Sequence, residues 1–280
     1  MPSSSNNTSA PVSAATKLRQ RLSETDNLIL LPGVYDGFSA RIALEVGFDG
    51  LYMTGAGTSA SKLGLPDLGF ATLNDMRSHT EMLANLEPSV PLVADADTGY
   101  GGPNMVARTV TQYVRSGVAV CTSRIRSRRS ARMGSDIVVI ARTDAIQTHG
   151  FGEAMTRLKA AVAAGADVAF LEGVTTAEEA REACETLRPT PVLLNMVEHG
   201  ATPSWTAAEA KALGYRMMIV PMAAMAPAYE AIRESLAKLK DTGKVGTNSH
   251  FSPRKLFSIV GLQEAIDFDA AAGGSSYSKL

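Results

Sequence analysis

The sequence predicts an α/β fold of the (β/α)8, TIM-barrel type, and three observations predict it. Short apolar runs without polar alternation recur along the chain, the pattern of parallel strands buried on both faces. Longer amphipathic runs separate most of them, as the helices of βα units would. Charged and hydroxyl residues collect at the C-terminal ends of the apolar runs, the end where such barrels build their sites. A doubly wound parallel sheet is the structural alternative.

The strand candidates, in order, are NLILLPGVYD, GLYMTG, VPLVADADTGYG, VAV, DIVVIARTDA, DVAFLEG, PVLLNMVEHG and RMMIVP. Helical patterns such as MVARTVTQYVRSG, GEAMTRLKAAVAAG and TAAEAKALG lie between them. Gly117, Gly165 and Gly214 follow these patterns, where a left-handed C-terminal cap favours glycine. The polar strand ends are Tyr35 and Asp36, Thr54, Asp95 and Asp97, Arg142 and Asp144, Glu172, then Asn195 and Glu198. A closed barrel would gather them on one rim.

The fourth unit is shortened. Only residues 118–135 are available for a strand, a loop and a helix, which predicts a strand at Val118-Ala119-Val120 and a helix over about residues 122–133. Five arginines fall between Arg124 and Arg132 without interleaved aromatics, so a solvated helix face outweighs nucleic-acid binding. The predicted organisation is a disordered leader over 1–24, a barrel with C-terminal helices over 25–268, and a flexible tail over 269–280. That tail ends in Ser278-Lys279-Leu280, an address for the peroxisomal import receptor; without such import the chain would be cytoplasmic.

Composition narrows the classes. A net charge of −1 argues against nucleic acid as the main partner. With only Cys121 and Cys184, no disulfide framework or cysteine-based zinc site can be built. The longest apolar runs fall well short of the roughly 20 residues of a membrane span. The four histidines show no ligand spacing.

VADADTGYGG carries the most chemistry. On a strand, Asp95 and Asp97 would share a face, and two carboxylates aimed into one rim call for a cation. Oxygen ligands favour Mg2+, with Mn2+ as a substitute; the alternative is one capping and one solvated aspartate. GAGTSA fits a relaxed dinucleotide fingerprint, but the following SKLGLPDLG is too broken for a helix, and a small-residue turn that binds a carboxylate is the better use. Arg142 could clamp a substrate carboxylate or form an ion pair with Asp144 or Glu172.

PGVYDGFSA, LYMTGAG, LGLPDLG, VADADTGYGG, IARTDA, DVAFLEG, LLNMVEHG and VP occur in the order and spacing of the isocitrate lyase/phosphoenolpyruvate mutase superfamily. The chain resembles that family over about residues 25–268. The resemblance implies a (β/α)8 barrel, a homotetramer with exchanged C-terminal helices, and Mg2+ used to bind 2-oxo or 2-hydroxy carboxylates. It implies that Asp95 and Asp97 hold the metal mostly through water, with Asp67 supporting them. Thr54, Gly55 and Ala56 would cradle the substrate carboxylate, and Tyr52 would lie over the site as a proton acceptor. Arg142, Glu172 and Asn195 would orient the substrate, with Pro221 lining the pocket.

The departure from the family is concentrated at Val120 to Ser123. Members continue the fourth strand as GxHIEDQ, then a gating loop with K-[KR]-C-G-H, and the lyases take their proton donor from that loop. About 30 residues are absent here by the usual length of such a unit. Cys121 sits at the junction and has no loop to carry it over the pocket. The resemblance therefore implies a carbon–carbon lyase for a small dicarboxylate such as 2-methylisocitrate, dimethylmalate or oxaloacetate, impaired in this form. A phosphonomutase-like enzyme acting on a P–C bond, a non-catalytic ligand-binding paralogue and a splicing artefact are the alternatives.

Overall fold

The computed structural model describes residues 12–24, 27–97, 99–123, 135–247 and 250–275. Eight parallel strands close in sequence order: β1 (Ile29–Val34), β2 (Leu51–Met53), β3 (Leu92–Asp95), β4 (Val120–Ser123), β5 (Val138–Thr143), β6 (Val168–Leu171), β7 (Val192–Asn195) and β8 (Met217–Val220). β8 returns to β1 with Met217 opposite Ile29 and Val220 opposite Pro32. The (β/α)8 reading holds and the doubly wound alternative does not, because a closed sheet has no edge.

Strand alternation explains why the runs are apolar throughout. Leu31, Tyr52, Val93, Val120, Ile140, Phe170, Leu193 and Ile219 fill the barrel interior. Their neighbours Leu51, Met53, Leu92 and Ala94 on one side, and Ala169, Leu171, Val192 and Leu194 on the other, pack outward under the helices. Moving two residues along each strand from the inner layer reaches Thr54, Asp95, Thr122, Arg142, Glu172, Asn195 and Pro221, the C-terminal rim. One close approach needs a glycine: a Cβ on Gly33 would lie 2.2 Å from the Pro221 carbonyl oxygen.

The outer helices include α1 (Ala14–Glu24), α2 (Gly37–Val46), α3 (Gly55–Thr58), α4 (Leu73–Ala84), α5 (Pro103–Arg115), α6 (Ile146–Ala163), α7 (Ala177–Thr186) and α8 (Ala207–Ala212). Asp36, Thr72, Thr176 and Thr206 cap α2, α4, α7 and α8 by accepting from main-chain N–H groups. Gly117, Gly165 and Gly214 take φ values of 84°, 98° and 103°, as expected after helices. α9 (Met225–Thr242), α10 (Pro253–Ile259) and α11 (Leu262–Ala271) follow the barrel.

Three boundaries differ from expectation. The leader predicted over residues 1–24 is helical from Ala14, because Ala14, Ala15 and fully buried Leu18 join the barrel interior at its N-terminal end. Arg19 fixes that helix with two bonds to Asp167, at 2.9 and 3.1 Å, and others to the Asp136 and Ile137 carbonyls. Arg19→Ala is expected to cost about 1–2 kcal/mol of stability, read as a lower midpoint in urea; an unchanged midpoint would refute this role for α1. The tail begins later than residue 269, since α11 runs to Ala271.

The third difference is β4. Thr122 and Ser123 lie in the strand, not in a helix, since Thr122 pairs with Asp95 on one side and Ile140 on the other. The rest of the expected fourth helix and its arginines falls outside the described residues, as do Ser278, Lys279 and Leu280. β4 and β5 pair directly through Ser123 and Ala141, so the sheet closes across the shortened unit.

Candidate active site

Asp95 is the hub of the rim. Its Oδ2 accepts from the Tyr52 hydroxyl at 3.1 Å, and its Oδ1 accepts from the Asp97 N–H at 2.9 Å and from Thr122 Oγ1 at 3.5 Å. Tyr113 holds the backbone there by donating to the Asp95 carbonyl at 2.7 Å. A Cβ on Gly55 would lie 2.7 Å from Asp95 Oδ2 and 3.5 Å from Asp67 Oδ2, so both carboxylates face that glycine. The small residue is what admits them.

Thr54 caps α3 by accepting from the Gly57 N–H at 3.4 Å. Gly55 and Ala56 form the first turn, and a π-helical turn over Ser59–Leu63 continues it. The segment expected as a turn is thus a helix start, with its N–H groups beside Asp95.

Asp97 behaves differently from Asp95. β3 ends at Asp95, so strand alternation no longer governs Asp97, whose φ of 43° is left-handed. It lines a cavity of about 450 Å3 with Thr72, Tyr100 and Arg108, between α4 and α5. Asp67, reached from the α3 side, is the carboxylate placed beside Asp95. Among the described residues no three His, Cys, Asp or Glu side chains form a ligand cluster.

Across the rim, Arg142 bridges two acids, 2.8 Å from Asp144 and 3.4 Å from Glu172. Its guanidinium also stacks over Phe170, 5.2 Å from the ring centre. Burial opposes the charge, but Glu172 and Asp144 outweigh it and hold the guanidinium pKa above its ordinary value. Asn195 donates to Glu172 at 3.1 Å, which leaves its buried Oδ1 with no partner. Both earlier readings of Arg142 therefore coexist: an ion-paired residue whose clamp is aimed at the rim.

Tyr52 rises from the barrel interior and does not lie over the site. Burial first, then the Asp95 charge, pushes its pKa well above the usual phenol value. In this state it is a proton donor to Asp95, not an acceptor. Pro221 closes the rim beside Gly33 and is buried.

Thr122 was missed because the sequence placed it in a helix. Two positions on from inward-facing Val120, strand alternation alone would have found it. Cys121 is 1% exposed in the outer layer and cannot reach the rim.

The phosphoenolpyruvate phosphomutase family profile matches residues 18–123 and 121–240, nearly the whole barrel in two segments that meet at β4. The chain belongs to that family. It lies within the phosphoenolpyruvate mutase/isocitrate lyase superfamily, and its relatives are enzymes. A 2,3-dimethylmalate lyase of Eubacterium barkeri is 36% identical over 255 residues, covering 82% of this chain and 87% of that protein. A crystal structure of a 2,3-dimethylmalate lyase superposes with a TM-score of 0.92 at 54% identity, covering 96% and 98% of the two chains. An oxaloacetate acetylhydrolase in complex with the inhibitor 3,3-difluorooxalacetate gives 0.90 at 50% identity, covering 95% and 99%.

Proposed function

We propose that this family member binds a small 2-hydroxy- or 2-oxo-dicarboxylate with Mg2+ and is built for carbon–carbon bond cleavage, with turnover impaired by the shortened fourth unit. One observation carries the reading: Arg142, held by two acids, faces the Asp95 carboxylate across a rim where Asn195 keeps an unpartnered acceptor. The names of the dimethylmalate lyase and oxaloacetate acetylhydrolase relatives support the substrate class.

Asp95 and Asp67 fit a hard cation. Asp95 accepts three hydrogen bonds on two oxygens, and a carboxylate has about four acceptor sites, so it retains capacity for a metal or its water. Bound Mg2+ would stabilise negative charge developing on substrate oxygens. Asp97 supports this site through its N–H to Asp95.

The chain's own groups divide the remaining work. Arg142 pairs with a substrate carboxylate, and the Gly55 and Ala56 N–H groups receive another carboxylate oxygen. Asn195 Oδ1 accepts from a substrate hydroxyl, and Tyr52 keeps its proton and holds Asp95 in place. In cleavage, the 2-hydroxyl loses its proton and becomes a carbonyl as the adjacent C–C bond breaks. The electron pair passes to the leaving fragment as an enolate, which must then be protonated. No rim residue described above is placed to return that proton, and general acid catalysis contributes about 10²–10⁴-fold.

Two observations support loss of the unit that would supply it. The family match breaks and restarts at residues 121–123. The alignment to the Eubacterium barkeri enzyme runs over 255 residues while covering 82% of a 280-residue chain, so it contains positions where this chain has none. Calorimetry with oxalate and Mg2+ is expected to show saturable binding, while release of pyruvate or oxalate from dimethylmalate, 2-methylisocitrate and oxaloacetate falls about 10³-fold below a loop-containing relative. Turnover within tenfold of that relative would refute the impairment; absence of binding would refute the site.

The same reading covers assembly and address. α9, α10 and α11 bury no residue, and Tyr229, Ile232, Leu236, Phe257 and Phe268 are exposed, so we place a homotetramer contact there. Ser278-Lys279-Leu280 would direct import into peroxisomes through the import receptor. No described helix is long and apolar enough to cross a membrane.

A further inference from the structure

We propose a second ligand site, for a phosphoryl dianion, at the opposite end of the barrel from the rim. A cavity of about 520 Å3 opens where Pro191 leads into β7 and Arg216 leads into β8, between the C-terminal ends of α7 and α8. Arg188, Lys211 and Arg216 line it, and no carboxylate does among the described residues. Arg188 and Lys211 are exposed at its walls, and Arg216 is half-buried. Tyr215, only 1% exposed, also lines the cavity, and its buried hydroxyl has no hydrogen-bond partner.

Part of this charge has a local use. Arg216 donates to the Leu22 carbonyl at the end of α1, and Lys211 to Asn27 Oδ1 at 3.3 Å. Two helix ends contribute roughly half a negative charge each. Against three full positive charges, that leaves an excess of about two, the charge of a phosphoryl group near neutral pH. An unpartnered buried hydroxyl is costly unless something bonds it. A phosphate oxygen would satisfy Tyr215, and the prolines flanking Thr190 offer an apolar wall to the organic half of a monoester. Burial holds the Cys184 thiol protonated, with its pKa pushed up to about 12, so it adds no negative charge.

The test is calorimetry on the full chain at low ionic strength, with inorganic phosphate and separately with glycerol phosphate. Saturable binding of either at one site per chain is expected, and tighter binding of the ester would identify a phosphate monoester as the better ligand. The double substitution Arg188→Gln with Lys211→Gln should weaken binding at least tenfold. Tyr215→Phe keeps the ring packing and should weaken it at least threefold with an unchanged thermal midpoint. Arg142→Lys, at the other end of the barrel, should leave it unaltered. No saturable binding, binding that survives the double substitution, or binding lost in Arg142→Lys would overturn the proposal; the last would place the anion at the rim.

Discussion

Asp95→Asn is expected to weaken Mg2+ binding at least about 100-fold, beyond the 10–100-fold typical of outer-shell partners, while leaving the barrel folded. The asparagine oxygen can still accept from the Asp97 N–H, and the neutral amide fits the same space beside Gly55. What disappears is the negative charge that faces Gly55 together with Asp67. Because the carboxylate ligand is expected to bind with the metal, oxalate binding should be lost with it. Calorimetric titration with Mg2+, paired with circular dichroism, reads both halves of the expectation. Undiminished Mg2+ binding in a folded variant would move the metal away from Asp95.

Arg142→Lys separates substrate binding from metal binding. An ammonium cannot reproduce the planar fork that spans Asp144 and Glu172 while presenting a further edge to a carboxylate. Oxalate affinity should fall about 100-fold, or about 2.7 kcal/mol, with Mg2+ affinity preserved. Stability should also drop, by about 1–3 kcal/mol, because Glu172 and Asp144 keep only 16% and 24% of their side-chain surface in water. A variant that binds oxalate as the parent does would show Arg142 to be purely structural.

The barrel was legible because its strands are apolar on both faces, and only closed or covered parallel sheets require that. The rim was legible for the same reason: Thr54, Asp95, Arg142, Glu172 and Asn195 each stand two residues beyond a buried inward-facing residue. Periodicity failed where a strand ended unseen. Asp97 was assigned to the face of Asp95, but the turn that begins there gives it a left-handed backbone. Thr122 was lost in the opposite way, because a strand was ended too early. α1 was taken for a leader because its sequence is polar and small; its few buried side chains, Leu18 above all, matter only once the barrel's open end exists to receive them. No local pattern reports a vacancy in a partner.

The direct pairing of β4 with β5 has a consequence for how such an enzyme can lose its activity. Parallel neighbours need a return path of about a dozen residues or more, and residues 124–137 still provide one between Ser123 and Val138. Excision inside this unit therefore stops near the shortest connection the sheet tolerates. The hoop of strands is structurally indifferent to what its connections carry above the rim. A transcript could drop the moving part of the machine and still deliver a stable vessel, one that holds its ligand and competes for it without consuming it.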